Sequence, residues 1–422
     1  MFKRLRVTMV ALLGALTLAA AATAATFEGE HSGANYKIVM PDAWNGTLVV
    51  LAHGYRDKAD HAGEVDNRSA MDASFTAIAN GLAAQGYAVA ATSYRDNGWA
   101  VKESIHDITA LRARFNGLVG KPDTALLMGF SLGSLATAKL AEQRSGLFDG
   151  YLPACGVLAG SPRAWDMGAV GLLAYKLIFG LPSSWGTPAD GDDDVDFDTE
   201  VLPTVFGQAV NPLNFAKWEF IRLISGAKGP VAALPLALYP GWLITNLFFT
   251  TEARAEAERR AGGPYVQNVT HHYSLTPSEQ AYLAAMGFNA TPVLSAMNAS
   301  ERFSGKPSAR NYMSHYATFS GRLSEPVLTI HTKWDTLVPW AHESAYAETV
   351  AAADASDLLV QASTNGLGHC NFSPTEIGAF RGAARELGGD GRQAERGNAG
   401  RLRARPGQHR PSGVAAGLAT GT

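Results

Sequence analysis

At 422 residues the chain has room for one large domain with an insertion, or for two or three ordinary domains. Its 46% hydrophobic and 17% charged residues exclude global disorder, and a formal net charge of −3 excludes the basic excess that a nucleic-acid binder needs. A small neutral or apolar partner suits this composition.

Residues 1–24 read as a secretory signal peptide. Lys3, Arg4 and Arg6 precede an alanine-rich apolar run that ends in the small residues Ala22-Thr23-Ala24. The expected product is a secreted or periplasmic chain with no stable membrane span after cleavage. Beyond it, "NGTLVVLAHGY" and "GYAVAATSY" predict buried strands, and "SAMDASFTAIANGLAAQ" between them predicts a helix that stops at Gly86. "VKESIHDITALRARFNGL" predicts a second helix and "TALLMGF" the next strand. "SLATAKLAEQRS" then runs as a helix out of a serine-bearing turn, and "GYLPACGVLAGS" follows as a strand. Alternation of this kind predicts an α/β fold with a mostly parallel sheet covered by helices on both faces.

The strand rhythm fills residues 25–161 and stops. Residues 162–324 are rich in aromatics, prolines and apolar helical segments, and read as a large, mainly helical cap or lid. Within them "GPVAALPLALYPGWLITNLFFTT" is uncharged and long enough for a bilayer, but Pro235, Pro240 and Gly241 divide it, which favours a buried or substrate-facing cap element. "DGDDDVDFDTE" does not fit a calcium loop. Counted from Asp190 or Asp192, the sixth position is Val195 or Phe197 instead of glycine, and no glutamate stands at the twelfth. It reads as a solvated acidic loop, and neither a metal nor a cofactor is expected. "EPVLTIHTKWD" and "DLLVQAST" restore the strands in a second core segment, 325–387. Residues 388–422 read as a disordered basic tail.

Chemistry concentrates at "LLMGFSLGS", where a buried strand meets Gly129-Phe130-Ser131-Leu132-Gly133. In a G-x-S-x-G elbow the serine stands at a strained apex between strand and helix. A serine hydroxyl needs a histidine to take its proton, and the histidine needs an acid to hold its tautomer. Asp335 follows the strand "VLTIH", and His369 lies in the glycine-rich loop "NGLGHCNF", 34 residues further on. Asp166 is the alternative acid. His331, inside its strand, reads as a core histidine, and His271 and His272 as structural residues of the cap. For the oxyanion, the expected donors are the backbone N–H groups of Leu132, at the helix start, and Tyr55, at the end of "VVLAHGY". His53 reads as a brace for that loop.

"AHGY", "GFSLGS", "KWDTLVP" and "GHCNF", in this order, resemble the α/β-hydrolase superfamily, especially its secreted serine esterases. The resemblance covers about residues 45–161 and 326–380 and leaves the cap unmatched. It implies a triad of Ser131, Asp335 and His369 acting through an acyl-enzyme on a small-molecule or polymeric ester, and the large apolar cap favours an ester with a bulky or hydrophobic portion. A secreted peptidase of the same fold is the alternative, and a binding module without chemistry a third reading. Tannase and feruloyl-esterase relatives carry a cysteine before the serine and another after the histidine. Here Cys370 follows His369, but Phe130 precedes Ser131. In this fold the histidine loop reaches back over the strand ends, so Cys155 and Cys370 are expected to pair once exported. Two separate buried thiols are the alternative. The sequence sets no subunit number.

Overall fold

The apolar runs of the sequence become one eight-stranded sheet in the order β1-β2-β4-β3-β5-β6-β7-β8. The strands are β1 (Thr26–His31), β2 (Ala34–Val39), β3 (Thr47–Ala52), β4 (Ala88–Thr92), β5 (Thr124–Phe130), β6 (Gly150–Ala154), β7 (Val327–Trp334) and β8 (Leu359–Leu367). The computed structural model describes residues 25–230, 233–373 and 375–377, so the assigned signal peptide and basic tail lie outside the described residues. β2 runs antiparallel to β1 and β4, and β3 to β8 are parallel throughout.

The β1–β2 hairpin was not among the expected strands. Its turn at Ser32 (φ 55°) and Gly33 (φ 84°) uses the positive φ angles that tight hairpins need. β1 is an edge strand with mostly exposed residues, so no apolar run marks it in the sequence.

Helices link the parallel strands: α1 (Ala73–Ala83) joins β3 to β4, α2 (Val101–Leu118) joins β4 to β5, and α3 (Leu132–Gln143) joins β5 to β6. Alternation along β3 divides the core. Leu48, Val50 and Ala52 share a cluster with Ile108, Phe115 and Leu135 of α2 and α3, whereas Val49 and Leu51 share one with Phe75, Ala79 and Leu82 of α1. β strands buried on both faces need such double cover.

Between β6 and β7 the chain leaves the sheet for α4 (Ser161–Phe179), α5 (Leu202–Ala209), α6 (Phe215–Ile224), α7 (Tyr239–Thr250), α8 (Glu252–Ala261), α9 (Pro277–Ala285), α10 (Thr291–Ala299) and α11 (Pro307–Ala317). α12 (Ala341–Ala352) then joins β7 to β8. The apolar stretch considered for a bilayer is interrupted before α7, and no helix among the described residues is long and apolar enough to cross a membrane. The acidic loop is anchored as well as solvated, because its Val195 and Phe197 enter the core of the insertion.

The helices of the insertion have a core of their own, which includes Tyr175, Trp185, Trp218 and Trp242. α8, "EARAEAERRA", is charged but largely buried. Glu256 accepts from the Trp99 N–H at 2.8 Å, Arg260 pairs with Asp96 (3.1 Å) and Glu103 (3.2 Å), and Glu252 accepts from the Phe197 N–H. The Glu256 and Arg260 contacts fasten the insertion to the loop after β4 and to the start of α2, and the Glu252 contact ties α8 to the acidic loop within the insertion. A mostly parallel sheet with an antiparallel β2, helices on both faces and a helical insertion between β6 and β7 is the α/β-hydrolase fold.

Candidate active site

β5 ends at Phe130, and α3 starts at Leu132; Ser131 makes the turn with φ 52° and ψ −117°, a conformation that side chains other than glycine rarely adopt. Both flanking glycines are sterically required. A Cβ on Gly129 would lie 2.3 Å from the Gly133 carbonyl oxygen, and one on Gly133 would lie 2.3 Å from the Ala52 oxygen. The close approach of α3 to β3 and β5 is what the motif encodes. It puts Ser131 at the carboxyl edge between β3 and β5, where the strand order switches direction and open α/β sheets bind ligands.

Asp335 follows β7, fully buried. Its Oδ1 accepts the N–H groups of Leu337 (3.1 Å) and Val338 (2.8 Å), which aims Oδ2 across the edge. Oδ2 lies 2.6 Å from His369 Nδ1, and His369 Nε2 lies 2.8 Å from Ser131 Oγ. A carboxylate at Nδ1 fixes the proton there and leaves Nε2 to accept from the serine. Burial by itself would raise the Asp335 pKa, but the neighbouring imidazoles of His369 and His331 outweigh it and hold the carboxyl well below the usual range. Thr332 steadies the histidine loop by donating to the Gly368 carbonyl at 2.6 Å.

The loop after β3 lies directly against the serine: a Cβ on Gly54 would be 3.2 Å from Ser131 Cβ. Among the described residues, the backbone N–H groups of Tyr55 and Leu132 donate to no protein acceptor. The Tyr55 ring meets Phe249 at 5.0 Å between centroids, and its hydroxyl donates to Asp57 at 3.1 Å. His53 stacks on Tyr94 at 3.9 Å and bonds the Gly54 carbonyl through Nδ1 at 2.7 Å; burial and the Arg56 charge lower its pKa to about 4.

Above Ser131 opens a cavity of about 90 Å³, walled by Tyr55, Trp99, Trp165 and Phe249 on one side and by Leu337 to Pro339 on another. A second chamber of about 30 Å³ lies deeper, among Gly171, Trp218, Trp242 and Leu243. Gly168, Ser225, Asn246 and Thr250 line both. A Cβ on Gly168 would be 3.0 Å from Thr250 Cγ2, so the glycine allows α4 and α7 to approach at the wall the two chambers share. Among the described residues, Tyr55 and His342 are the titratable side chains that line the chambers.

Cys155, just past β6, is bonded to Cys370, beside His369, with 5.3 Å between the Cα atoms. Both cysteines have positive φ, 47° and 52°. The bridge thus ties the histidine loop to the strand end next to Ser131. Two separate thiols are ruled out.

The remaining candidates lie elsewhere. Asp166, the alternative acid, is held by Arg310 (2.9 and 2.8 Å) and accepts from the Gln267 N–H at 2.8 Å. His271 and His272 stay in the insertion, where His271 packs against Tyr273. His331 is a fully buried core histidine, as expected, and it lies between the carboxylates of Asp335 (3.4 Å) and Glu343 (3.2 Å). Sequence reasoning missed Glu343, Gly168 and the aromatic wall. Only Gly168 had a local signal, as a glycine inside a helical pattern.

No family model and no curated protein sequence matches the chain. Solved structures that it resembles include an esterase from Pyrococcus furiosus (TM-score 0.43, 11% identity, 86% of this chain and 90% of that one). Others are a proline iminopeptidase from Mycobacterium smegmatis (0.41, 15%, 86% and 97%) and a monoacylglycerol lipase from Paleococcus ferrophilus (0.38, 14%, 83% and 97%). Likeness at this level says nothing about activity; the fold assignment stands on strand order and connections.

Proposed function

We propose that the chain is an exported serine hydrolase that cleaves carboxylic esters with a hydrophobic portion. The observation that carries this reading is the continuous bonding Ser131–His369–Asp335, at 2.8 and 2.6 Å, beneath an apolar cavity. Ser131 Oγ attacks the acyl carbon while His369 Nε2 takes its proton. The oxyanion formed is stabilised by the N–H groups of Leu132 and Tyr55, at a helix start where the dipole adds to the effect. The alcohol leaves with the proton from His369, giving an acyl-Ser131. Water, deprotonated by the same nitrogen, then releases the acid.

The leader at 1–24 is the proposed route of export, residues 25–161 and 325–387 the catalytic core, and residues 162–324 the cap that shapes the substrate site. The two adjoining chambers, which share Gly168, Ser225, Asn246 and Thr250, suit an unbranched apolar acyl chain entering from Ser131. A peptidase acting on chain ends would be expected to hold the charged terminus, and no carboxylate or guanidinium lines the chambers among the described residues. The test is labelling by a fluorophosphonate probe together with turnover of p-nitrophenyl esters and aminopeptidase substrates. Ser131 labelling and ester turnover, both lost in Ser131→Ala, are expected. Equal turnover by the alanine variant, or preferential cleavage of the peptide substrates, would refute the ester reading.

A further inference from the structure

Behind Asp335 the polar chain continues into the protein. His331 on β7 is fully buried and has two partners that only accept hydrogen bonds. Its Nε2 lies 2.6 Å from the Val338 carbonyl, and its Nδ1 lies 3.2 Å from Glu343 Oε1. A carbonyl fixes a proton on Nε2, and a carboxylate asks for one on Nδ1; a ring donating through both nitrogens is an imidazolium. The other Glu343 oxygen accepts from the Thr329 hydroxyl and from Gln361 Nε2 at 2.6 Å, so that carboxylate is itself held in place from β7 and β8. Asp335 Oδ2, the atom that receives His369 Nδ1–H, is 3.4 Å from His331 Nε2.

We propose that His331 and Glu343 are positioning residues for the triad: a buried His331 imidazolium, held by Glu343, pins the Asp335 carboxylate from behind in the orientation His369 requires. This rests on the reading of Ser131, His369 and Asp335 as the triad. A buried cation beside a buried anion also keeps that anion ionised, because the alternative is an unpaired charge in a medium of low polarity.

The surroundings agree with the charge assignment. Burial opposes a charged His331, but the hydrogen bonds and charges of Asp335 and Glu343 outweigh it and lift its pKa to about 10. His342, on the same helix as Glu343, is the neutral counterpart. Burial, followed by the charges of His331 and Arg163 and opposed by Asp335, lowers it to about 3, and its Nδ1 accepts the Ala159 N–H at 3.1 Å. From α12 His331 therefore faces Glu343 and the neutral His342, from β7 Thr329, and from the loop after β7 Asp335 and the edge of Trp340, the latter at 6.0 Å between centroids. With Glu343 opposite it, the imidazolium leaves the net charge of the cluster unchanged. It therefore acts through position and local field.

Three measurements test the proposal. Nitrogen NMR of the histidine-labelled full chain needs no substitution. His331 is expected with both ring nitrogens protonated at pH 7 and still so at pH 8.5, and a ring with one bare nitrogen there would overturn the proposal. Second, His331→Gln removes a cation from behind Asp335. This should favour the imidazolium of His369, moving the acid limb of kcat/KM up by about 0.5–1 pH unit, and should lower kcat more than it raises KM. Third, His331→Gln/Glu343→Gln removes both charges and should lose less than the sum of the two single variants. An unmoved acid limb with strictly additive losses would overturn the positioning role, even if the NMR result stood. Failure of Ser131 to take a fluorophosphonate label would instead overturn the triad reading, and the role with it, whatever the state of the His331 ring.

Discussion

Gly168 gives the sharpest test of how the cap selects substrate. It sits on α4 where the two chambers meet, and an added Cβ would already touch Thr250 at 3.0 Å. Valine adds two further carbons at the wall the two chambers share and should close off the second chamber, whose lining does not include the triad. Each methylene transferred from water into an apolar wall contributes about 0.8 kcal/mol, which is roughly fourfold in kcat/KM. Extending an acyl group from butanoyl to octanoyl therefore raises kcat/KM by at most roughly 200-fold if every added carbon is buried. The assay is kcat/KM for p-nitrophenyl esters from acetate to octanoate. The native chain should show a rise with length that continues past the shared wall, and Gly168→Val should flatten it there. Acetate turnover should change least. An unchanged slope in a variant that unfolds at the native temperature would refute the idea that chain selection lies at this wall. So would a native profile that falls from acetate onward.

Asp335→Asn should cost about 10⁴-fold in kcat with little change in KM, since an amide cannot fix the His369 tautomer; Asp166→Asn should leave both within a few-fold. Replacing both cysteines by alanine frees a loop of 215 residues, for which chain entropy sets a ceiling of about 5 kcal/mol; a loss of about 2–4 kcal/mol in denaturant unfolding is expected, and no loss would show the bridge to be dispensable. Stability should also fall in acid. His53 and His342 have native pKa values lowered to about 4 and about 3, so the unfolded chain binds more protons as the pH drops below about 6.5. His331 acts in the other direction: raised to about 10, its contribution is complete below about pH 6.5 and is lost as the pH rises to 10. Melting temperatures from pH 4 to 10 should form a dome, and a curve flat below pH 6.5 would contradict the buried neutral state of these rings.

The sequence by itself determined the alternating architecture and the order of the site residues. Strands buried on both faces must be written as continuous apolar runs, and a strained turn with two close backbone approaches admits only Gly129 and Gly133 beside Ser131. The position of Asp335 was legible because it closes such a run, and that of His369 because it stands in a glycine-rich loop after the last strand. Strand β1 was hidden because an exposed edge strand has no apolar constraint to display. What the tertiary structure decided is pairing at a distance. Asp335 could take His369 from one side and His331 from the other only once β7, β8 and α12 lay side by side. Glu343 reads as an ordinary helix carboxylate until folding buries it against His331. The charges of α8 acquire their partners only where Trp99, Asp96 and Glu103 come within reach of them. Local sequence encodes backbone conformation and which faces are apolar; the partner of a buried charge is set by which elements pack together, whether 12 residues away, as for His331 and Glu343, or 157, as for Trp99 and Glu256.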